Sequence, residues 1–426
     1  MRFSTAWIGR LARKLSLLRS IKGPQNQEKA TLPEQGVLTD AVTTVGACRV
    51  EHPLRDVRSL VSSHGFFIKN SAEVAGFIQS LGVVSALDSE WMSSACNPQT
   101  YIGALKNVTL QPGCKVLLDA EGIAHHDEME MAFRVFSHRP KRWEMELLGG
   151  PILRFEHPPF FPGVIPAGIH LTGEHEANYF HWVCEILPRL YLYEKMLLEC
   201  DVPLLVSDGL NQNLYELMDI ICSKKRTIKK LTPGMAYRVA HLIYPSDVSR
   251  ILDVYDHAPN NESTYLPVGL LKDMVETIKG SIVLCDEDNR KRIFVRRSST
   301  YRKLLNEIEI EEFLIEYDFF PIDPGQLSVL DQIRIFSQAD VIVGPSGAAI
   351  TNILWCHNGA KVLILHSDHP FKKYPYWDAL SRVAGADISY ISGPRANNVD
   401  GFFQAHDDFN IRIDDLKRAV ENYFPF

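Results

Sequence analysis

Cysteine carries no obvious pattern in this chain. The eight cysteines (Cys48, Cys96, Cys114, Cys184, Cys200, Cys222, Cys285 and Cys356) are scattered and form no Cys-x-x-Cys pair. Neither a thiolate zinc site nor a disulfide framework is signalled, and a reducing compartment fits. No uninterrupted apolar run of about 18 residues occurs, so no spanning helix is expected. Positive charge is not in excess: the net charge of −7 argues against nucleic acid as the main partner. Internal repeats and low-complexity tracts are missing too, which excludes solenoids and collagen-like arrays.

What remains is an ordinary globular composition, 46% hydrophobic over 426 residues. That is too long for one common core and suits two domains. Residues 1–22 stand apart. They carry Arg2, Arg10, Arg13, Lys14, Arg19 and Lys22 and no acid, while Phe3, Trp7, Leu11, Leu15 and Leu18 recur at helical spacing. Such a basic amphipathic helix can lie on an anionic membrane or dock on protein. Arg13, Lys14 and Arg19 break the apolar stretch that a secretory signal needs. Residues 23–36, rich in Pro, Gly and Gln, read as a linker.

From 37 to about 170 the signals are mixed. Val116–Leu118 and Ile152–Phe155 look like short strands, and Pro158-Pro159 and Pro162-Gly163 like turns. Residues 174–199 read as a helix that Pro188 should end or kink. The spacing predicts strands at 204–206 and 241–244 and a helix at 265–279. Asp286–Asn289 is a polar break, placing a boundary between 285 and 286. Beyond it strands at 292–296, 319–322, 340–343 and 361–365 alternate with helices at 306–317, 328–338 and 347–355. Helices follow at 374–385 and 416–423. That alternation implies a parallel sheet covered on both faces.

Chemistry concentrates in the same region. The segment Gly344-Pro345-Ser346-Gly347-Ala348-Ala349-Ile350-Thr351-Asn352 is a strand end, a glycine loop and a helix start. Gly347 lets backbone approach a ligand, and the N–H groups of Gly347 and Ala348 could receive phosphate oxygens. Ser346 could cap the helix or donate to the ligand; a plain N-cap is the bland alternative. Arg296 and Arg297 end an earlier strand on opposite faces, so one of them points to a cleft. Arg302 follows, and a guanidinium fork suits a diphosphate. In the first half, Asn178 precedes His181 and Glu185, which are four apart and share a helical face. A carboxylate on one imidazole nitrogen fixes the tautomer of the other, which makes a general base; a structural buried pair is the alternative.

Taken together these segments resemble glycosyltransferase family 61. Asn178-Tyr-Phe-His-Trp, Glu185 and Leu187-Pro-Arg-Leu190 match its first motif. Arg297, Arg302 and Asn306-Glu307 match the second. Leu327-Ser328, Gln332-Ile333, Phe336, Gly344–Ala349 and Asn352 match the last. The likeness runs over roughly residues 110–390. It implies a GT-B-like α/β fold, with two Rossmann-like domains facing a central cleft. Residues 37–285 would be the acceptor-side domain and 286–426 the nucleotide-sugar-binding domain, with 1–36 as the amphipathic segment and linker. It further implies an inverting transfer from a nucleotide sugar, commonly UDP-linked, to a hydroxyl of a glycan or glycolipid. His181 and Glu185 would be catalytic, with Asn178 orienting on the acceptor side. Arg297, Arg302, Asn306, Gly344, Ser346, Gly347, Ala348 and Asn352 would bind the donor.

Many members have His-Gly-Ala where this chain has Ser346-Gly347-Ala348, so a role of that histidine is absent or passes to Ser346. The chain resembles the bacterial polysaccharide-cluster branch, which implies capsule or lipopolysaccharide synthesis. A cytoplasmic enzyme, peripheral on the inner face of the membrane through residues 1–22, is the expectation. No cofactor is expected, the nucleotide sugar being a substrate. No metal is expected either. Asp286-Glu287-Asp288 imitates a metal motif but precedes a strand rather than ending one. His125–Glu128 and His366–His369 lack the i, i+4 pairing of a helical zinc site. Two alternatives keep the same ligand class: a non-catalytic nucleotide-sugar-binding partner of a polysaccharide synthase, and a nucleotide-sugar epimerase.

Overall fold

The order in which strands pair settles where each chemical segment lies. The computed structural model describes residues 49–55, 66–67, 100–125, 146–148, 152–156, 159–196, 202–251, 264–282, 291–299, 302–368, 375–396 and 407–423. All belong to one compact unit, Cys48–Phe426. The amphipathic segment 1–22, the linker 23–36 and the polar break 286–289 fall outside the described residues.

Among those residues the strands form a mixed sheet of eleven, a pair, and a parallel sheet of five, so the protein is α/β. In the large sheet we number β1 (Ile102–Leu110), β2 (Phe160–His170), β3 (Leu204–Ser207), β4 (Ile228–Leu231) and β5 (Ala236–Pro245). They lie in the order β4-β3-β2-β5-β1. The first four are parallel and β1 is antiparallel to β5. The small sheet comprises β6 (Lys291–Val295), β7 (Phe319–Ile322), β8 (Ala339–Pro345), β9 (Lys361–Ser367) and β10 (Asp387–Gly393). Its order is β7-β6-β8-β9-β10, all parallel.

Each sheet therefore has a point at which chain progression reverses: between β2 and β5 in the large sheet, and between β6 and β8 in the small one. Ligands of open α/β sheets bind in the crevice beyond the carboxyl ends of the strands at such points. His170 and Pro245 end the strands at the first, Val295 and Pro345 at the second.

The helices are α1 (Tyr179–His181), α2 (Leu187–Met196), α3 (Gln212–Ile221), α4 (Val268–Gly280), α5 (Glu307–Glu316), α6 (Val329–Ser337), α7 (Pro375–Ala384) and α8 (Ile413–Tyr423). Apolar side chains from both sides of the 286–289 break meet in one core: Leu190, Leu217, Leu271, Ile333, Trp355 and Leu380 all belong to it. Each such side chain contributes about 1.5–3 kcal/mol by leaving water.

Four local expectations need correction. The Pro162-Gly163 turn is a bulge inside β2. Phe160 pairs with Ala236 and Val164 with Arg238, so four steps on β2 face two on β5. Proline cannot donate to the ladder, and Gly163 takes φ +94°, which is how a turn signal becomes a bulge. The helix predicted from 174 begins at Tyr179, because Asn178 Oδ1 accepts the Phe180 N–H at 2.9 Å and sets the N-cap there. Pro188 does not end the helix but follows a distorted turn in it. The turn before it, Trp182–Ile186, widens to π-helical form, and the Leu187 N–H reaches back to Trp182 O. Pro188 has no N–H for Cys184 O four residues earlier, and the Ser249 hydroxyl donates to that carbonyl at 2.5 Å. Finally, Ala348–Trp355 is a 3-10 helix rather than an α-helix. The Ile350 N–H bonds to Gly347 O, and the Asn352 side chain takes Ala349 O.

Candidate active site

At the small sheet's crossover point Arg296 and Arg297 diverge, as strand alternation requires. Arg296 turns outward to Glu311, with bonds of 2.6 and 2.5 Å. Arg297 turns across the strand ends, and its NH1 donates to Ser346 O at 2.6 Å. Its backbone N–H is held by Glu307 Oε1 at 2.9 Å. Burial raises the Glu307 carboxyl above its ordinary range. Gly347 is what lets the guanidinium pass: a Cβ there would sit 1.6 Å from Arg297 NH1. Its φ of 170° is extended backbone open to any residue, so space and not conformation demands the glycine. Gly344 is required by close packing, since a Cβ would lie 2.8 Å from Val295 Cβ and 3.0 Å from Ile350 Cδ1.

Ser346 is buried. Its N–H pairs with Leu365 O at 2.8 Å, and its hydroxyl accepts the Trp377 indole N–H at 3.3 Å. Ala348, partly buried, opens the 3-10 helix, and no side chain caps its start. Arg302 lies in the loop before α5 with φ +52°, a left-handed conformation uncommon for residues other than glycine.

Two residues expected to bind the donor have other engagements. The Asn306 amide donates to Ile411 O at 2.8 Å and its carbonyl accepts the Ile411 N–H at 3.1 Å, which pins the segment before α8. Asn352, fully buried, accepts from Tyr179 Oη (2.9 Å) and Trp355 Nε1 (3.0 Å) and donates to Gln332 Oε1 (2.9 Å). It is a hub that ties α1 to the glycine-loop helix.

In the other half, His181 Nδ1 lies 2.5 Å from Glu185 Oε2. A carboxylate only accepts, so Nδ1 carries the proton, and in the neutral imidazole Nε2 is then the acceptor nitrogen. Both side chains are about nine-tenths buried. The exposed His175, at φ +56°, places its ring 4.9 Å from that of His181. Glu176 beside it accepts the Gly173 N–H (3.0 Å) and the Ser207 hydroxyl, and burial raises its carboxyl. These two anchors fix the loop that presents His175.

Behind the pair sits a buried polar cluster at the large sheet's crossover point. Lys115 Nζ is 2.9 Å from Asp247 Oδ2 and 3.9 Å from Glu185 Oε1. Arg189, wholly buried, donates to Pro245 O (3.0 Å), Thr172 O (3.2 Å), His170 O (3.1 Å) and His170 Nδ1 (2.8 Å). His170 is thereby held neutral: burial first, and then the Arg189 charge, push its imidazole well below the usual range. The other imidazole nitrogen lies 3.0 Å from the Thr172 hydroxyl.

The two halves of the site meet through aromatic rings. Phe180, next to His181, packs edge-on against Trp377 at 5.3 Å, and Trp377 is the residue that holds Ser346. Tyr376 closes against both, at 5.3 Å from Phe180 and 4.9 Å from Trp377. Sequence reasoning gave no role to Trp377, Lys115, Asp247 or Arg189. Arg189 alone left a signal, as part of the Leu187–Leu190 stretch that matches the family's first motif. Of the other histidine clusters, His125 is bound to Asp119 at 2.9 Å inside a tight turn, and His366 Nδ1 lies 2.7 Å from Ser367 O. His126–Glu128, Asp286–Asp288 and His369 lie outside the described residues.

Comparison with known proteins gives the same direction. Residues 179–363 match the model of the family Glycosyltransferase 61. The EGF domain-specific O-linked N-acetylglucosamine transferase of Canis lupus familiaris is 30% identical over 119 residues, which is 26% of this chain and 22% of that protein. The same-named protein of Pan troglodytes gives identical figures. That of Bos taurus is 32% identical over 108 residues, 24% of this chain and 20% of its own. The aligned stretch thus spans about a fifth of these curated relatives. These likenesses support a glycosyltransferase of family 61.

Proposed function

We propose that the protein is an inverting glycosyltransferase that moves a sugar from a UDP-linked donor to a hydroxyl acceptor in one displacement. One juxtaposition carries this reading. Through Phe180 and Trp377, a tautomer-fixed histidine adjoins the Ser346–Gly347 loop, across which Arg297 lies at a strand crossover point. In this reading His181 Nε2 takes the acceptor proton, the oxygen attacks the anomeric carbon, and the leaving diphosphate gathers at Arg297, Arg302 and the start of the Ala348–Trp355 helix. Those positive groups do the work of an ion, so transfer should persist in excess chelator. A GT-B-like pair of domains divided near Asp286 belongs to the same proposal, as does peripheral contact with the inner face of a membrane through residues 1–22.

The acceptor has two readings. The bacterial-branch resemblance favours a glycan or lipid-linked glycan of capsule or lipopolysaccharide. The names of the animal relatives favour a protein hydroxyl and an N-acetylglucosamine donor. The test is to incubate the protein with a panel of UDP-sugars and both acceptor kinds, following UDP release and new glycosidic product. A bound nucleotide without product would support a binding partner, and a new nucleotide sugar an epimerase. No binding of any nucleotide sugar would refute the proposal.

A further inference from the structure

We propose that Lys115 is a positioning residue for this reaction, holding the Glu185 carboxylate against His181 from behind. The proposal rests on the reading of His181 as the base. It starts from a buried row of alternating charge. Arg189 Nε lies 3.8 Å from Asp247 Oδ1, Lys115 Nζ 2.9 Å from Asp247 Oδ2 and 3.9 Å from Glu185 Oε1, and Glu185 Oε2 2.5 Å from His181 Nδ1. The Lys115, Asp247 and Glu185 side chains are 7%, 5% and 8% exposed. Two cations and two carboxylates alternate along the row, and His181 stands at its end.

The connectivity gives Lys115 a particular task. Asp247 has Arg189 as a second cation. Among the described residues, Lys115 is the cation that pairs with Glu185. An ionised carboxylate buried without a cation is costly, and a protonated Glu185 could donate to His181 and spoil the tautomer. Lys115 also reaches this place from outside the helix, from the loop after β1, so it fixes the carboxylate relative to the sheet as well as charging it. Its stem lies by Gly173, where a Cβ would stand 3.8 Å from Lys115 Cε and Cγ and 2.8 Å from Ile186 Cδ1.

The other titratable groups around the pair come from every neighbouring element. The 171–178 loop supplies His175, tilted against His181, together with Glu174 and Glu176, the latter turned to Ser207 and Gly173. The helix itself supplies Cys184, whose thiol is raised by burial and by Glu185, and Arg189. The loop after β1 adds Cys114, pushed up by burial to about 12. From the small-sheet side come the uncharged rings of Tyr376 and Trp377. Removing Lys115 takes one positive charge from this set, which favours proton uptake by the His181–Glu185 pair. Removing Asp247 takes one negative charge and acts the opposite way.

The experiment compares wild type, Lys115→Met, Lys115→Arg and Asp247→Asn in the full chain. Turnover is followed against pH at saturating UDP-sugar, with UDP affinity by calorimetry and the His181 imidazole titration by NMR. Lys115→Met should lose at least about tenfold in kcat, the low end for a disturbed general base, with UDP affinity unchanged. Its acid limb and the His181 midpoint should move to higher pH. Lys115→Arg should restore most of both, and Asp247→Asn should move the His181 midpoint to lower pH. Equal His181 midpoints in all folded variants would overturn the proposal, as would Lys115→Arg behaving like Lys115→Met. If Lys115→Met does not fold, the Lys115→Arg and Asp247→Asn arms decide. A wild type that never turns over refutes the glycosyltransferase reading, while the NMR arm still judges Lys115.

Discussion

Gly347→Ala is a small change that should act almost wholly on ligand binding. The new methyl would overlap Arg297 NH1, the ideal Cβ standing 1.6 Å from it. The backbone there is extended, with φ 170°, so alanine adds no strain. The obstructing atom ends a flexible, half-buried side chain, so the guanidinium can swing away at little cost in stability. What is lost is the bond from Arg297 NH1 to Ser346 O at 2.6 Å, and with it the direction of the charge. Hydrogen bonds to a charged group contribute about 1.5–3 kcal/mol, or roughly 10- to 150-fold in Kd. UDP affinity should therefore fall by that factor in Gly347→Ala while the melting temperature stays within a few degrees. Calorimetric titration of UDP into wild type, Gly347→Ala, Arg297→Ala and the double variant forms a cycle. If the methyl acts through Arg297, the double variant should bind no more weakly than Arg297→Ala alone. Wild-type affinity in Gly347→Ala, or additive losses in the double variant, would refute the reasoning.

Three further outcomes are expected. His181→Ala should reduce turnover about 10²-fold or more with UDP affinity intact, and Glu185→Gln should also reduce it; near-normal initial rates in both would make the motif structural. Ser249→Ala should cost about 1–3 kcal/mol in denaturant unfolding, because Cys184 O loses the hydroxyl that replaces the missing Pro188 N–H; an unchanged midpoint removes that account. Burial raises the folded-state Glu176 carboxyl above 4.5. Its contribution is then complete below the unfolded value and fades as pH climbs through the raised one. Glu176→Gln, which cannot ionise, should gain on wild type as pH rises from about 4 to about 8, and a flat difference in melting temperature would contradict it.

The second half of the fold was legible because its strands are short, apolar and buried on both faces, while its helices carry charged outer faces. Strand 319–322 matches to the residue, and the predicted helices at 306–317 and 328–338 lie one residue outside α5 and α6 at each end. β10 was missed because it closes an edge, and Ser389 and Tyr390 interrupt its apolar character. β1 and β2 were missed for a different reason. Lys106-Asn107 lies exposed within β1 and Pro162-Gly163 within β2, and local turn residues outvoted a ladder fixed by β5. In the site, alternation alone separated Arg296 from Arg297, and the i, i+4 rule alone paired His181 with Glu185. The Lys115–Asp247 contact spans 132 residues, and no local rule reaches that far.

The two crossover points invite the question of which one takes the anionic ligand. Each is bridged by an arginine that reaches a carbonyl of the opposite strand end. Arg189 joins Pro245 O, at the end of β5, to His170 O, at the end of β2, and Thr172 O beyond it. Arg297, after β6, reaches Ser346 O, after β8. The bonds are of the same kind, but the surroundings differ. Arg189 is fully buried and spends four bonds and an ion pair inside the protein, with Asp247 to balance its charge. A diphosphate brought there would meet Asp247 and Glu185 as well, at a cost set by like charge in a poorly hydrated place. Arg297 is half-buried beside a glycine and a helix start without a side-chain cap, so positive potential faces outward. On the proposed reading, the first crossover point holds the base in place and the second receives the leaving group. Trp377, bonded to Ser346 and packed on Phe180, sets the spacing between them.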